Sequence, residues 1–222
     1  MPAGTIAIID YGSGNLRSAA RAVEHAASSL GSSATVAVTR DAALVRNAAR
    51  IVLPGQGAFA DCMAGLSALP GMREALHTAV IEHKTPFLGI CVGLQLMAAQ
   101  GFEHGTHEGL GWIPGAVRRI APSDPALKIP HMGWNTIRPF AAGQERFSHP
   151  VLSSVTPSDH FYFVHSYALE CAPENPVLAV AEYGGAVAAA AGRDNMIGVQ
   201  FHPEKSQTPG LRLIADFLRW SP

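Results

Sequence analysis

Hydrophobic and polar positions follow two alternating periodicities in the first half of the chain. Short apolar runs at residues 5–9, 34–38, 50–53 and 87–90 are typical of buried strands, whereas residues 15–30 and 71–83 carry apolar positions at helical spacing. Strands that alternate with helices are joined by right-handed crossovers, which build parallel sheets covered on both sides. This half therefore predicts a mostly parallel central sheet with helices on both faces.

The pattern changes at about residue 111. Short strand-like runs at residues 116–120, 133–138, 160–167, 177–183, 186–191 and 196–201 are separated by turn residues such as Gly184 and Gly185. Such runs predict antiparallel strands and hairpins added to the parallel core. Residues 210–220 close the chain with an amphipathic helical pattern. Without a repeat or a long linker, we predict one α/β domain over residues 1–222.

Composition and charge exclude several classes of protein. Of the 222 residues 48% are hydrophobic and 15% charged, which favours a well-filled core over disorder. A net charge of −1 argues against nucleic acid as the main ligand. There is no signal-peptide pattern and no apolar run of membrane-spanning length, so neither secretion nor insertion is predicted. Three cysteines without CxxC spacing indicate neither a disulfide framework nor a zinc site, and a reducing cytoplasm fits best.

One cysteine stands in a pattern that predicts a nucleophile. The run Gly-Ile-Cys-Val-Gly at residues 89–93 follows a strand-like segment and opens a helix-like one. A sharp strand-to-helix turn needs glycines beside the nucleophile, and the start of a helix stabilises a thiolate. An isolated cysteine is more commonly a small buried hydrophobe, which is our interpretation of Cys62 and Cys171. The flanking glycines favour the nucleophile for Cys91.

A candidate base lies near the C-terminus. The strand-like residues 195–201 run into His202, Pro203 and Glu204. Residues i and i+2 of an extended segment point the same way, so the Glu204 carboxylate can hold the His202 ring. With ten histidines in the chain, His-x-Glu alone carries little weight. Together with the strand-to-helix turn at Cys91, which we call the elbow, it predicts a triad of Cys91, His202 and Glu204.

The two segments together resemble class I, triad-type glutamine amidotransferases. They are residues 89–95, Gly-Ile-Cys-Val-Gly-Leu-Gln, and residues 200–204, Gln-Phe-His-Pro-Glu. The resemblance implies a flavodoxin-like fold in which Cys91 is the nucleophile, His202 the general base and acid, and Glu204 the residue that orients the histidine. It also implies that L-glutamine is hydrolysed to glutamate and ammonia through a γ-glutamyl thioester. No metal and no organic cofactor is expected.

Further segments resemble one branch of that family. Residues 10–16, 53–59, 130–135, 163–167 and 202–206 match, in order, members that supply ammonia to a (β/α)8 cyclase subunit, their heterodimer partner in histidine biosynthesis. That partner makes imidazole glycerol phosphate and aminoimidazole carboxamide ribonucleotide. The resemblance implies an oxyanion loop at residues 54–57, in which the peptide amide of Gln56 acts with the backbone N–H of Val92. Many relatives carry valine where this chain has Gln56.

The resemblance also assigns two sets of contact residues. The residues matched to the glutamine substrate site are Gly57, Gln95, Glu103, Ser166 and Tyr167. The residues matched to the cyclase interface are Asn15, Trp134, Asn135, Tyr162 and Lys205. Among these positions, Gln95 has support from geometry as well, because it lies one helical turn after Cys91 on the same face.

Two alternatives remain open at the level of sequence. One is another triad amidotransferase, such as the glutaminase of pyridoxal phosphate synthase or a stand-alone γ-glutamyl hydrolase. The other is a non-catalytic redox-sensing module in which Cys91 is oxidised, although a sensor has no need of the proton shuttle that His202 and Glu204 would form. A dinucleotide loop at Gly12-Ser13-Gly14 is disfavoured, because Arg17 stands where its third glycine is needed.

Overall fold

The computed structural model describes residues 4–140, 143–144, 146–171 and 176–222. The strands in this part of the chain are β1 Thr5–Ile9, β2 Thr35–Thr39, β3 Arg50–Gly55, β4 Phe87–Cys91, β5 Ala98–Gly101, β6 His107–Glu108, β7 Ile113–Arg119, β8 His131–Thr136, β9 Arg138–Pro139, β10 His160–His165, β11 Tyr167–Leu169, β12 Val177–Glu182, β13 Ala186–Arg193 and β14 Met196–Val199. The α-helices are α1 Leu16–Ser29, α2 Ala42–Arg46, α3 Phe59–Ala68, α4 Met72–Leu76, α5 Val92–Met97 and α6 Gln207–Arg219. A π-helical turn spans His77–Glu82, and 3-10 turns span Pro150–Leu152 and Pro203–Lys205.

The central sheet has eight strands in the order β2-β1-β3-β4-β14-β13-β12-β9. The five strands from β2 to β14 are parallel, and β13, β12 and β9 continue the sheet in antiparallel fashion. This architecture confirms the predicted parallel core with antiparallel strands added in the C-terminal half. Because β3, β4 and β14 are parallel neighbours, their carboxyl ends meet at one edge of the sheet.

The helices cover both faces of this sheet. The chain crosses from β1 to β2 in one direction and from β2 to β3 in the other, so right-handed crossovers place α1 and α2 on opposite faces. Helix α6 packs against α1, while α3 packs against α4 and α5. The largest fully buried side chains include those of Phe59, Phe87, Phe161, Phe163, Phe201 and Phe217. No helix in the described residues is long and apolar enough to span a membrane.

Three predicted segments differ from the observed elements, and the first is the predicted strand 133–138, which is divided between β8 and β9. Residues 160–167 form two strands, because β10 pairs with β8 whereas β11 pairs with β7 in a separate sheet, and the break falls at Ser166. The predicted helix 71–83 is α4 followed by the π-helical turn. Helices α2 and α3 were not predicted, although Phe59, Cys62, Met63 and Leu66 of α3 recur at helical spacing. Short helices give too few turns for the period to be recognised.

Glycines bring α5 directly against the sheet. A Cβ atom on Gly93 would lie 1.9 Å from the carbonyl oxygen of Leu53 in β3, and one on Gly89 in β4 would lie 2.6 Å from the Gly93 oxygen. In β14, a Cβ atom on Gly198 would lie 2.6 Å from the side chain of Leu94. The helix that follows Cys91 therefore packs at backbone distance on three parallel strands.

A buried pair of histidines joins the two-stranded sheet of β8 and β10. The Nδ1 atom of His131 lies 3.0 Å from Nε2 of His165, and Nδ1 of His165 lies 2.9 Å from the Tyr167 carbonyl oxygen. A carbonyl only accepts, so Nδ1 of His165 is the donor, its Nε2 accepts, and Nδ1 of His131 donates. Burial lowers the pKa of both rings to about 4, so both are neutral at neutral pH.

We expect Gly93→Ala to lower the free energy of unfolding by about 3 kcal/mol, because the new methyl group meets backbone that has no free space to move into. Urea denaturation measures the change. Ala64→Ser, on the exposed side of α3, is the control and should stay within about 0.5 kcal/mol of the parent chain. A Gly93→Ala protein as stable as the control would contradict the close packing of α5.

The histidine pair predicts acid destabilisation. A folded pKa of about 4, below the unfolded value of about 6.5, means that stability is complete above pH 6.5 and is lost as the pH falls toward 4. Each neutral ring should account for about 2 kcal/mol at pH 4.5. Unfolding curves between pH 7.5 and 4.5 should be flatter for His131→Gln than for the parent, whereas exposed His160→Gln should leave the slope unchanged. Equal slopes in all three proteins would exclude this origin.

Candidate active site

Cys91 occupies the sharp turn between β4 and α5. Its backbone angles are φ 55° and ψ −110°, a conformation that L-residues rarely adopt. Such strain costs about 1–3 kcal/mol and persists only where the surrounding structure enforces it. The close packing of Gly89 and Gly93 around the turn supplies that constraint. The predicted elbow is thus present in the backbone geometry.

His202 and Glu204 form the predicted pair behind the thiol. The Nδ1 atom of His202 lies 2.8 Å from Oε1 of Glu204, and both side chains are only 3% exposed. Burial lowers the pKa of His202, but its contacts with Cys91 and Glu204 outweigh burial and raise that pKa to about 9. Its Nε2 atom is buried and makes no hydrogen bond of good geometry within the described residues.

Ser206 holds the histidine in place, a role that the sequence did not predict. The Ser206 hydroxyl donates to the carbonyl oxygen of His202 at 2.6 Å and accepts from the backbone N–H of Tyr162 at 3.0 Å. The backbone N–H of His202 in turn donates to the Tyr162 carbonyl. Strand β10 therefore fixes the position of the base. The sequence shows only a serine four residues after the histidine, and its complete burial is evident from the structure alone.

A cavity of about 330 Å³ opens beside the thiol. Eight of the ten residues predicted for catalysis, the oxyanion hole and substrate binding line it: Gln56, Gly57, Cys91, Val92, Gln95, Glu103, Ser166 and Tyr167. The other two, His202 and Glu204, form the buried pair described above. A cavity of about 820 Å³ around Arg138 and Phe147 is larger, but neither cysteine nor histidine is among its described lining residues. The smaller cavity is therefore the candidate site.

Gln95 is tied to its neighbours through its amide nitrogen. Its Nε2 atom donates to the carbonyl oxygen of Tyr167 at 2.9 Å and to Oε1 of Gln200 at 3.1 Å. With both N–H groups used, only the Oε1 atom of Gln95 is left for a ligand in the cavity, and it would accept a hydrogen bond. Gln200, which is fully buried, was quoted in the sequence motif but given no role there.

Glu103 has a second role that the sequence did not indicate. Its Oε2 atom accepts a hydrogen bond of 2.8 Å from the backbone N–H of Phe59, the first residue of α3. A carboxylate at this position satisfies an otherwise free amide at the start of a helix. Glu103 therefore fixes α3 at the edge of the cavity that it also lines.

The predicted oxyanion loop is held by Ser13. The backbone N–H of Gln56 donates to the Ser13 hydroxyl at 3.2 Å, and that hydroxyl donates to the Gln56 carbonyl oxygen. The Cys62 sulfur also lies 3.6 Å from the same carbonyl and 3.4 Å from the Ser13 hydroxyl. The Gln56 amide thus has a partner other than the cavity in this conformation.

Three of the five predicted interface residues lie together on the surface. The rings of Trp134 and Tyr162 are 5.8 Å apart, and the Lys205 ammonium lies 5.8 Å from the Tyr162 ring centre. Trp134 is 49% exposed and Met132, on the same face of β8, is 61% exposed. We call Met132, Trp134, Tyr162 and Lys205 the aromatic patch. Exposed large apolar groups of this kind mark interaction surfaces.

The remaining two interface predictions fall on residues with internal bonds. The Asn15 side chain caps α1 by accepting from the backbone N–H of Ser18 at 3.4 Å. The Asn135 amide donates to the Glu182 carbonyl at 2.9 Å and contacts Nε2 of His131 at 3.3 Å. Both side chains therefore stabilise the elements that carry them.

Comparison with known proteins agrees with this geometry. A family model described as "Glutamine amidotransferase class-I" matches residues 7–220. Proteins named "Imidazole glycerol phosphate synthase subunit HisH" are 56% identical in Rhodospirillum rubrum, over 98% of this chain and 99% of the relative, and 53% identical in Rhodopseudomonas palustris, over 98% and 100%.

Solved structures confirm the fold at lower identity. One glutamine amidotransferase has a TM-score of 0.66 at 17% identity, covering 96% of this chain and 97% of that one. A second, from Thermotoga maritima, has a TM-score of 0.60 at 13% identity, covering 99% and 98%. The chain therefore belongs to the class-I glutamine amidotransferase family, in the group that contains the HisH subunits of imidazole glycerol phosphate synthase.

Proposed function

We propose that this chain is the glutaminase subunit of an imidazole glycerol phosphate synthase. It hydrolyses L-glutamine to glutamate and ammonia, and the ammonia reaches a (β/α)8 cyclase subunit that forms imidazole glycerol phosphate and aminoimidazole carboxamide ribonucleotide. The observation that carries the proposal is the strained Cys91 beside the buried His202–Glu204 pair, at the cavity of about 330 Å³. The full-length similarity to proteins named HisH supports the choice of acceptor reaction.

The proposed chemistry assigns one task to each member of the triad. The Cys91 thiolate attacks the side-chain amide carbon of glutamine and forms a C–S bond. The C–N bond then breaks as His202 gives its proton to the leaving nitrogen, and ammonia departs. His202 next takes a proton from water, which cleaves the thioester to glutamate and restores the thiolate. Glu204 keeps the ring in the required tautomer and stabilises its charged form.

The remaining cavity residues position the substrate in this proposal. Gln95 offers its Oε1 atom to an N–H group of glutamine, and Gly57, Glu103, Ser166 and Tyr167 surround the rest of the molecule. The backbone N–H groups of Val92 and Gln56 stabilise the tetrahedral oxyanion. Because the Gln56 amide is bonded to Ser13, the loop must shift before it can serve, which keeps the isolated subunit slow.

The partner surface follows from the same proposal. The aromatic patch offers apolar area with a fixed shape, which is favourable in the centre of an interface. Together with Asn15 and Asn135, it is assigned here to the face that meets the cyclase. The assignments of a single domain over residues 1–222, of the cytoplasm as the compartment and of a cofactor-free reaction stay predictions.

Cys91→Ala should abolish glutamine-dependent formation of imidazole glycerol phosphate in the complex with a cyclase subunit, by a factor of at least about 10³. Turnover with ammonium salts should persist, because the thiol serves only to release ammonia. Both rates are measured on the same purified complex, with the half-buried Cys171, which lies outside the cavity, changed to Ser as the matched control. Loss of both activities in Cys91→Ala would refute the assignment.

Ser13→Ala should raise the glutamate release of the isolated subunit. The hydroxyl makes hydrogen bonds worth about 1 kcal/mol that hold the Gln56 backbone in its observed conformation. Without them the loop shifts more readily, so the rate of glutamate release should rise about fivefold. The rate of the fully activated complex should change little. Ser67→Ala, on the exposed side of α3, is the control. A parent subunit that already works at its full rate without partner would contradict the role of Ser13.

A further inference from the structure

We propose that Gln200 is a further catalytic residue, whose side-chain amide donates a hydrogen bond to the Cys91 sulfur and holds the thiolate in position. The Nε2 atom of Gln200 lies 3.7 Å from the Cys91 Sγ atom, within the range for a sulfur acceptor. The residue has no solvent exposure. The catalytic meaning of this contact rests on the proposed glutaminase function, whereas the contact itself can be tested on the thiol alone.

The orientation of the Gln200 amide is determined by its neighbours. A carbonyl oxygen can only accept, so the end of Gln95 that meets the Tyr167 carbonyl at 2.9 Å must be its NH₂ group. That NH₂ group also meets Gln200 at 3.1 Å, which requires the oxygen of Gln200 on that side. The NH₂ group of Gln200 must then face the sulfur of Cys91. The alternative rotation would set the NH₂ groups of Gln95 and Gln200 against each other and turn the oxygen of Gln200 toward the sulfur.

The Tyr167 carbonyl that starts this series is itself well anchored. It accepts a second hydrogen bond from Nδ1 of the buried His165 at 2.9 Å. His165 is neutral at neutral pH, since burial lowers its pKa to about 4, and its Nε2 atom accepts from His131. The Tyr167 carbonyl oxygen thus accepts from both His165 and Gln95. Its fixed position determines the orientation of the Gln95 amide, which in turn determines that of Gln200.

The chemistry of sulfur explains what the amide contributes. A thiol or thioester sulfur is a weak acceptor, whereas a thiolate is a strong one, and hydrogen bonds to charged groups are about twice as strong as neutral ones. The Gln200 amide therefore favours Cys91 when the sulfur is charged. This is its state before attack on glutamine and again as the C–S bond of the thioester breaks and the electron pair returns to sulfur.

Two substitutions separate the hydrogen bond from size and packing. Gln200→Met keeps the length of the side chain but removes the donor. Gln200→Glu keeps an oxygen for Gln95 but turns an acceptor, and a negative charge, toward the sulfur. Gln200→Asn is the mildest change and withdraws the amide from the sulfur by one methylene. The matched control is Gln100→Glu, an exposed position in β5.

The readout is the rate at which iodoacetamide alkylates Cys91 in the isolated full chain, resolved from Cys62 and Cys171 by peptide mass spectrometry between pH 5 and 10. We expect Gln200→Met to react about tenfold more slowly at pH 7, with its pH midpoint raised by about one unit. Gln200→Glu should be slower still, and Gln100→Glu should match the parent. In the cyclase complex, kcat for glutamine should fall while KM changes less than twofold.

Unchanged alkylation rates and pH midpoints in the folded variants would overturn the proposal. If Gln200→Met and Gln200→Glu do not fold, the same comparison is made with Gln200→Asn. An effect of equal size in Gln200→Met and Gln100→Glu would also overturn it. The proposed function fails separately. If the parent complex releases no glutamate while the Gln200 variants still alter alkylation, the glutaminase assignment is wrong and the contact between Gln200 and Cys91 stands.

Discussion

The parallel pairing of β4 between β3 and β14 is the constraint on which the site depends. It brings three carboxyl ends to one edge, so that the predicted oxyanion loop, the proposed nucleophile and the proposed base emerge side by side from segments distant in sequence. The strained turn at Cys91 is stable only because α5 lies at backbone distance on these same strands. Glycine at positions 89, 93 and 198 therefore allows the close packing of α5, and that packing in turn holds Cys91 in place.

A second layer connects the aromatic patch to the cavity. Strand β8 carries Trp134 on its exposed side and His131 on its buried side, and His131 reaches the Tyr167 carbonyl through His165. The same strand pair fixes His202, because Tyr162 of β10 binds both its backbone and Ser206. The surface proposed for the partner thus shares its strands with residues that position His202 and the wall of the cavity.

The sequence predicted the parallel core, the elbow and the histidine with its carboxylate, because each has a local signature. The period of apolar residues indicates strands, and glycines indicate the turn at Cys91. The pairing of Glu204 with His202 was predicted from spacing along a strand, but β14 ends at Val199 and the contact is made through the 3-10 turn Pro203–Lys205. The roles of Ser13, Gln200 and Ser206 could not be predicted, since each depends on a partner more than forty residues away or on a buried hydroxyl within an irregular turn. The division of residues 160–167 into two strands was missed for the same reason, because pairing partners decide it.

The distribution of burial indicates where control can act. Cys91, Gln95, Gln200 and His202 are all nearly inaccessible and hydrogen-bonded or charge-paired, so a change in their positions would require repacking of the core. Gln56 and Gly57 are exposed, and the described contacts of the Gln56 backbone are with the Ser13 hydroxyl and, at 3.6 Å from the carbonyl oxygen, the Cys62 sulfur. A regulator that moves the loop has to break only those few contacts. One that moved the predicted triad would have to disrupt the core. In the proposed mechanism, control through the loop therefore needs the smaller rearrangement, because only the backbone of Gln56 takes part in it.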